Sequence, residues 1–198
     1  MNPPIPSRFS RFLSRWNLRL LYELWLFIVV MTLFQAIWES NEAAITSWPS
    51  LTRTSDLIGE TLLQTTPAIL NPLLRMDIVR ESNSLILPNG FYVGYWFYFS
   101  GLKQMLLVTI LFLVIPGRWI DKIWYIPLNI LMILMLVFMR FIILTTHCTI
   151  YPEHLHLLQD ILFGPLFYFE ILVSWIVWVV YVARKTSLNF RLHEISHQ

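Results

Sequence analysis

Cysteine is almost absent from this chain of 198 residues, since Cys148 is the only one. A single cysteine excludes a disulfide within the chain and any metal site built from several cysteines. Its thiol is either reactive or simply tolerated, and tolerance is the commoner outcome for a cysteine outside a motif. The sequence also contains no cofactor motif, so we expect no cofactor.

Charged residues are scarce too, at 13% of the chain, whereas 57% of the residues are hydrophobic and 16% are aromatic. One small soluble core cannot bury that much apolar surface. The net charge of +2 comes from residues that flank apolar segments, so it does not indicate nucleic-acid binding. The sequence therefore predicts an all-α polytopic membrane protein whose first partner is the lipid bilayer.

Three apolar runs are long enough to cross a bilayer, which takes about 20 helical residues, and a fourth is shorter. The long runs are Leu20–Trp38, Ile123–Leu144 and Leu166–Ala183, and the short one is Ser100–Pro116. The first run is too long for the apolar part of a signal peptide, so we interpret it as a permanent anchor. We expect about four transmembrane helices, the first over residues 20–38 and the others within residues 100–183.

Basic residues indicate how these spans are oriented, because cytoplasmic loops collect Lys and Arg. With four spans and the N-terminus inside, the inner side holds Arg8, Arg11, Arg15, Arg19, Arg118, Lys122, Arg184, Lys185 and Arg191. The outer side holds Arg53, Arg75 and Arg80. We therefore expect residues 1–19 and 184–198 to be cytoplasmic and residues 39–99 to lie outside.

The cytoplasmic segment 1–19 is both basic and amphipathic. Apolar side chains recur there at helical spacing, and four arginines occupy the other side. Two interpretations stay open: a helix that lies on the anionic inner leaflet, or a basic flank that only sets the topology.

The outer segment, residues 39–99, is long enough to form structure of its own. Within it, Glu60–Leu74 has helical spacing but contains Pro67 and Pro72, so we expect one broken helix or two short ones. Three short β-prone runs follow, separated by turn-forming residues. These runs are Ile78–Arg80, Leu85–Leu87 and Phe91–Val93. The pattern predicts a small β-meander at the membrane surface.

One arginine, Arg140, interrupts the apolar run of the third span. A charge on a membrane helix costs roughly 2.5–3.5 kcal/mol at the bilayer centre, so it usually faces a partner or a polar cavity. Helical rise puts Arg140 at a height similar to that of Lys103 and Glu170, in the outer half of the membrane. Two interpretations stay open: Glu170 bridges to Arg140 and holds the bundle together, or the three charges line a polar binding cleft.

Three histidines, His147, His154 and His156, lie in the loop before the last span. Together with Cys148 they match no standard spacing of zinc ligands, so we expect no metal site. His147 directly precedes Cys148, but neighbours in sequence rarely aim their side chains at each other. Their adjacency is therefore weak evidence for a catalytic pair.

Three short motifs, by their order and spacing, resemble those of the exosortase/archaeosortase family. They are Phe99-Ser100-Gly101-Leu102-Lys103-Gln104, Met139-Arg140-Phe141-Ile142-Ile143-Leu144 and Gln159-Asp160-Ile161-Leu162-Phe163. Together with the meander, the resemblance covers residues 58–183. It implies a multi-pass protein of the bacterial cytoplasmic membrane that acts on C-terminal sorting signals of exported proteins.

The resemblance also implies a mechanism, but two of its three residues are replaced in this chain. The family uses a cysteine nucleophile, an arginine late in a following span and a histidine before the last span. Such a set can attack a peptide carbonyl, stabilise the oxyanion and move protons. Only Arg140 matches, because Phe99 stands where the family has cysteine and Gln159 where it has histidine. Neither replacement can act as a nucleophile or as a base near neutral pH.

We therefore predict a catalytically inactive exosortase-like protein that binds an exported peptide or a membrane partner in a cleft at its outer face. The predicted cleft comprises Arg140, Ser100, Lys103, Asp160 and Glu170. One alternative is an active transpeptidase or protease, in which Ser100 or Cys148 supplies the nucleophile and a loop histidine the base. Another is a structural subunit of a larger membrane assembly.

Overall fold

The chain folds as a set of long helices with one small sheet. The computed structural model describes the backbone of residues 8–95, 97–154 and 164–195, and the side chains of residues 21–95, 97, 100–153 and 164–181. The helices are α1 (Arg8–Thr46), α2 (Pro49–Leu74), α3 (Leu102–Val114), α4 (Trp119–Ile150) and α5 (Gly164–Ile195). The strands are β1 (Val79–Glu81), β2 (Ser84–Ile86) and β3 (Tyr92–Gly94), and short 3-10 helices cover Phe97–Ser100 and Pro152–His154.

Three helical segments are long and apolar enough to cross a membrane: Leu21–Thr46, Trp119–Ile150 and Gly164–Tyr181. Their outward faces carry large apolar side chains, among them Ile123 at 71% exposure and Phe169 at 62%. Contiguous apolar faces of this kind are unfavourable in water and are covered by lipid tails in a bilayer. By length and composition this is the helical membrane class that the sequence predicts.

The fourth predicted span, Ser100–Pro116, is only partly helical. Helix α3 has 13 residues, which makes it about 20 Å long against a hydrocarbon core of about 30 Å. It begins after Gly101, whose φ of 69° is left-handed, and ends before Pro116. It packs along the first half of α4, where Lys122 Nζ donates to the backbone oxygen of Leu113 at 2.9 Å. Helix α3 is thus shorter than the three helices that can span.

The first helix extends beyond the predicted span at both ends. It begins at Arg8, so the basic segment continues directly into the span as one helix. At the other end it passes Trp38 and reaches Thr46 through a kink at Asn41, where φ is −126° and ψ is 18°. The first part of the predicted outer segment is therefore a continuation of α1.

Helix α2 is continuous, so the predicted break at Pro67 or Pro72 is wrong. Each proline removes one N–H from the helix and crowds the carbonyl four residues earlier. The helix persists because its buried side packs into the core on either side of Pro67, with Leu63 and Leu70 both 1% exposed. Pro49 begins the helix, because the fixed φ of proline, about −65°, is compatible with the first helical position.

The three strands form an antiparallel sheet in chain order, β1-β2-β3. Each strand begins one residue from the β-prone run identified in the sequence. In the central strand Leu85 pairs with Arg80 on one side and with Val93 on the other. Leu85 and Val93 are 0% and 2% exposed, so one face of the sheet belongs to the core. Ser82 (φ 52°) and Gly90 (φ 78°) occupy the left-handed positions of the two turns.

Helix α2 and the sheet together form a layer, called the cap below, at the C-terminal end of α4. The side chain of Asn71 donates to the backbone oxygen of Ile78 at 3.1 Å and accepts from its nitrogen at 3.0 Å. Asn89 donates to the backbone oxygens of Cys148 and Thr149 at 2.9 and 3.1 Å. The last carbonyls of a helix have no partner within it, so the cap satisfies the end of α4.

Candidate functional site

Arg140 lies ten residues before the end of α4, on the half nearer the cap, and is only 9% exposed. Its guanidinium carbon Cζ lies 5.8 Å from the ring centroid of Phe167 on α5, within the range of a cation–π contact. Phe167 is itself 2% exposed. The guanidinium is therefore held between α4 and α5 and away from bulk solvent.

The motif at residues 99–101 packs against α4 one helical turn below Arg140. Contact is closest at Gly101, where an added Cβ would lie 2.6 Å from Val137 Cγ2 and 3.3 Å from Ile133 Cγ2. Only glycine tolerates both this approach and the left-handed φ of 69° at this position. The fold thus brings the backbone of the first predicted motif to the level of the predicted arginine.

Ser100 is buried and its hydroxyl is engaged in its own loop. The residue is 1% exposed, and Oγ donates to the backbone oxygen of Phe97 at 2.6 Å. The same oxygen accepts from the backbone nitrogen of Leu102 at 3.3 Å. Both bonds stabilise the turn that starts α3. This hydroxyl is therefore poorly placed to attack a substrate.

Lys103 turns towards α1 and does not join Arg140. Its Nζ lies 5.7 Å from the ring centroid of Trp38, which is 3% exposed. Glu39 and Glu42, near the end of α1, attract its charge. Lys103 therefore connects α3 to the C-terminal end of α1.

Glu170 forms no ion pair with Arg140, although both residues are described, so the structure lacks the bridge that was one of the two open interpretations. Its Oε1 accepts from the hydroxyl of Ser174 at 3.2 Å, and its Oε2 is buried without a hydrogen-bond partner. The rise per residue predicts how far along its helix each charged residue lies, but it does not predict which neighbouring helix its side chain faces. Arg140 meets Phe167, and Glu170 lies three residues, about 4.5 Å, further along α5.

Several predicted residues fall outside what the structure describes. Gln159 and Asp160 lie outside the described residues, as does His156. The backbone of Phe99 belongs to the 3-10 helix Phe97–Ser100, whereas its side chain lies outside the description. Within the described part of the chain, no group of three or more His, Cys, Asp or Glu residues could hold a metal ion.

Cys148 lies in the last turn of α4 and is 0% exposed. Its backbone oxygen accepts the hydrogen bond from Asn89, so the residue is enclosed by the cap. His147 precedes it on the helix and turns its ring towards Tyr151, with 5.5 Å between the ring centroids. Successive residues of a helix point about 100° apart. These two side chains are not arranged as a nucleophile with its base.

A groove of about 580 Å³, which was not predicted from the sequence, opens between α1 and α5. It is lined by Met31, Thr32, Gln35, Ala36, Glu39 and Tyr168. Gln35 donates to Glu39 at 2.6 Å and Tyr168 donates to Gln35 at 3.3 Å. Thr32, Gln35 and Glu39 recur at helical spacing along α1, and this polar stripe on an apolar helix was the signal available in the sequence.

In the cap, Arg80 on β1 and Glu60 on α2 form a two-pronged ion pair. Arg80 donates to the two carboxylate oxygens of Glu60 at 2.8 and 2.7 Å. This guanidinium lowers the pKa of Glu60 below its usual value, with a smaller contribution from Gln64. The pair is exposed, so it aligns the sheet on α2 with little effect on stability.

Tyr95 follows β3 and packs tightly against α2. Its hydroxyl donates to the backbone oxygen of Ser55 at 2.8 Å, and burial raises the pKa of Tyr95. A Cβ at Gly59 would collide with the Tyr95 ring, so the glycine permits this contact. Since Tyr95 precedes the 3-10 helix, the contact connects the cap to the motif at residues 99–101.

In comparisons with known proteins, no family profile, no curated protein and no solved structure matches this chain. Function therefore has to be inferred from the geometry around Arg140 and the residues beside it.

Proposed function

We propose that this chain is an exosortase-like integral membrane protein that binds an exported peptide, or a membrane partner, at its outer face without cleaving it. The observation that carries the proposal is the buried guanidinium of Arg140, held beside Phe167 at the level of the motif at residues 99–101. A guanidinium in this setting forms strong bonds to a carboxylate or a peptide carbonyl. With phenylalanine and glutamine at the family's cysteine and histidine positions, recognition is the part of the activity that remains.

The state of the two alternative nucleophiles supports binding over cleavage. Ser100 is 1% exposed and its hydroxyl is engaged by backbone atoms. Cys148 is 0% exposed, under the turn that contains Asn89. A nucleophile needs a base within hydrogen-bonding reach and access to the substrate. Both residues lack that access.

The proposed setting is the bacterial cytoplasmic (inner) membrane, with both termini in the cytoplasm. Helix α3 then serves as a short fourth crossing, which fits its packing along α4 and an even number of passes. The cap would lie outside, over the end of α4 that carries Arg140. This arrangement is supported by the excess of basic residues on the predicted inner side.

The proposal is tested with the full chain in lipid nanodiscs and a fluorescent synthetic peptide. The peptide carries one glutamate directly ahead of an apolar segment of about 20 residues, which resembles the membrane anchor of an exported protein. Removing the guanidinium in Arg140→Ala should weaken binding about tenfold or more, because a charge-assisted bond contributes about 1.5–3 kcal/mol. Arg53→Ala, which removes an exposed arginine of α2, serves as the matched control and should bind like wild type.

Equal affinities for wild type and Arg140→Ala would overturn the proposal. A peptide processed by wild type but intact with Ser100→Ala or Cys148→Ala would instead favour an active transpeptidase. Stoichiometric co-purification with another membrane protein, unchanged by Arg140→Ala, would favour a structural subunit.

A further inference from the structure

A second polar cluster lies inside the membrane-spanning part of the described chain, between α4 and α5. Tyr125 of α4 donates its hydroxyl hydrogen to the backbone oxygen of Ser174 on α5 at 2.8 Å. The two helices run antiparallel, since Arg140 further along α4 meets Phe167 earlier in α5. One turn from the Tyr125 bond towards the cap therefore leads to Asn129 on α4 and to Glu170 on α5.

Two oxygens of this cluster are acceptors without a donor. Asn129 Oδ1 and Glu170 Oε2 are buried, and neither has a hydrogen-bond partner. Asn129 is 2% exposed, and its Nδ2 donates to the backbone oxygen of Tyr125 at 2.7 Å. The amide orientation is thereby fixed, so Oδ1 must point away from that carbonyl. Glu170 Oε1 is already used, because it accepts from Ser174 Oγ at 3.2 Å.

An ionised carboxylate in this position would be costly. Removing a charge from water costs several kcal/mol unless a counter-charge and hydrogen bonds compensate, and the membrane interior offers no water. Glu170 has no ion pair with Arg140, as described above. Protonation removes the charge and also converts one carboxyl oxygen into a donor. One proton thus resolves both defects of the cluster.

We propose that Glu170 is a proton-binding site within the membrane, and that its Oε2–H donates to Asn129 Oδ1 across the interface of α4 and α5. The hydroxyl hydrogens of Tyr125 and Ser174 are already donated elsewhere, so they cannot supply this bond. Release of the proton would leave a negative charge between the two helices. This site does not depend on peptide binding at Arg140: Glu170 lies about one turn from Phe167 along α5, and Asn129 lies about three turns before Arg140 along α4.

The other ionisable side chains described near this site do not form an ion pair with Glu170. Tyr125, on α4, is within electrostatic reach of Glu170. Arg140, also on α4, contacts the ring of Phe167. On α1, the charge of Glu39 interacts electrostatically with Tyr168 and with Lys103. The phenol of Tyr125 is uncharged at neutral pH, so it does not substitute for the missing proton.

Dicyclohexylcarbodiimide provides a direct test on the wild-type protein in nanodiscs. This apolar reagent reacts with protonated carboxyl groups: the acid O–H adds across a C=N bond, and the O-acylisourea rearranges to a stable N-acylurea. At pH 7 we expect one reagent molecule on Glu170, located by mass spectrometry, with labelling that declines as the pH rises. Glu60, which is exposed and paired with Arg80, is the internal control and should remain unlabelled.

Absence of label on Glu170 at pH 7 would overturn the proposal. Protection of Glu170 by sodium chloride, but not by choline chloride at the same ionic strength, would also overturn it, because the site would then hold a metal cation. Glu170→Gln should lose at least nine-tenths of the total label.

Infrared spectroscopy of Asn129→Leu tests the proposed acceptor. The carbonyl stretch of the protonated Glu170 should move to higher wavenumber when its hydrogen bond is lost, and the band should vanish in Glu170→Gln. A band that Asn129→Leu leaves unchanged would exclude Asn129 as the acceptor.

Discussion

The cap and the interface between α4 and α5 differ in how their main polar side chains are satisfied, although the cap also buries one hydroxyl, Thr66 Oγ1, without a partner. In the cap, Arg80 donates hydrogen bonds to both carboxylate oxygens of Glu60, and the amide of Asn89 donates to the backbone oxygen of Cys148 at the end of α4. In the interface, Asn129 and Glu170 bury oxygens that lack a donor. A cap group that loses its partner can be hydrated, whereas a group inside the membrane cannot.

This contrast separates groups that hold the fold together from groups with a function. Matched pairs in the cap are explained by the assembly of the sheet on α2 and by the closure of a helix end. The unmatched acceptors Asn129 Oδ1 and Glu170 Oε2 lie in the region where such groups are most expensive. Such groups are therefore best explained by something that they bind.

The largest expected effect comes from two left-handed glycines, Gly90 in the cap and Gly101 at the start of α3, where it packs against α4. Gly101→Ala adds a Cβ 2.6 Å from Val137 Cγ2 at a φ of 69°, whereas Gly90→Ala adds one in open space at a φ of 78°. Backbone strain alone costs about 1–2 kcal/mol, and forced overpacking adds about 1–3 kcal/mol. In detergent unfolding followed by tryptophan fluorescence, Gly101→Ala should be clearly the less stable variant. Equal losses would show that α4 yields freely at this contact.

A smaller effect is expected where the cap meets α4. Asn89→Ala removes the donor to the backbone oxygens of Cys148 and Thr149, which should cost about 1–3 kcal/mol and speed amide exchange in the last turn of α4. Asn41→Ala is the matched control, because its exposed amide bonds only within α1, to Ile37. Hydrogen exchange by mass spectrometry checks both variants. If amide exchange in the last turn of α4 is as slow in Asn89→Ala as in wild type, the cap does not stabilise this helix end.

The smallest effect is expected for the exposed ion pair. Arg80 lowers the pKa of Glu60 below its usual value of 4.5, so the pair stabilises the fold above that value. This contribution is lost as the pH falls through the lowered pKa of the folded state. The unfolding temperature of wild type should thus slightly exceed that of Glu60→Gln at pH 7, and the two should converge in acid. A difference in unfolding temperature that increases in acid would contradict this pH dependence.

Sequence patterns identified the elements better than their contacts. Apolar length located the three helices that are long enough to cross a membrane, and β-prone runs located the strands within one residue, because both are local properties. The continuity of α2 could not be inferred in this way, since it depends on Leu63 and Leu70 packing into a core that the sequence does not display. Local signals at Pro67 and Pro72 were overridden by that packing.

For the candidate site, the sequence predicted how far along its helix each residue lies, but not which neighbouring helix its side chain faces. Arg140 and Ser100 were both assigned to the predicted cleft, and Gly101 packs against Val137, one helical turn before Arg140 on α4. Lys103 faces Trp38 of α1, and Glu170 accepts a hydrogen bond from Ser174 of its own helix. Their directions depend on how each helix is rotated about its axis, and tertiary packing sets that rotation.

A double-mutant cycle tests the central claim, that Arg140 holds a peptide, most directly. The affinity of the fluorescent peptide is measured with glutamate or glutamine ahead of its apolar segment, for wild type and for Arg140→Ala in nanodiscs. We predict that glutamine weakens binding about tenfold to wild type and hardly at all to Arg140→Ala, because the two charges act as one pair. Equal weakening in both proteins would place the peptide elsewhere and contradict the role proposed for Arg140.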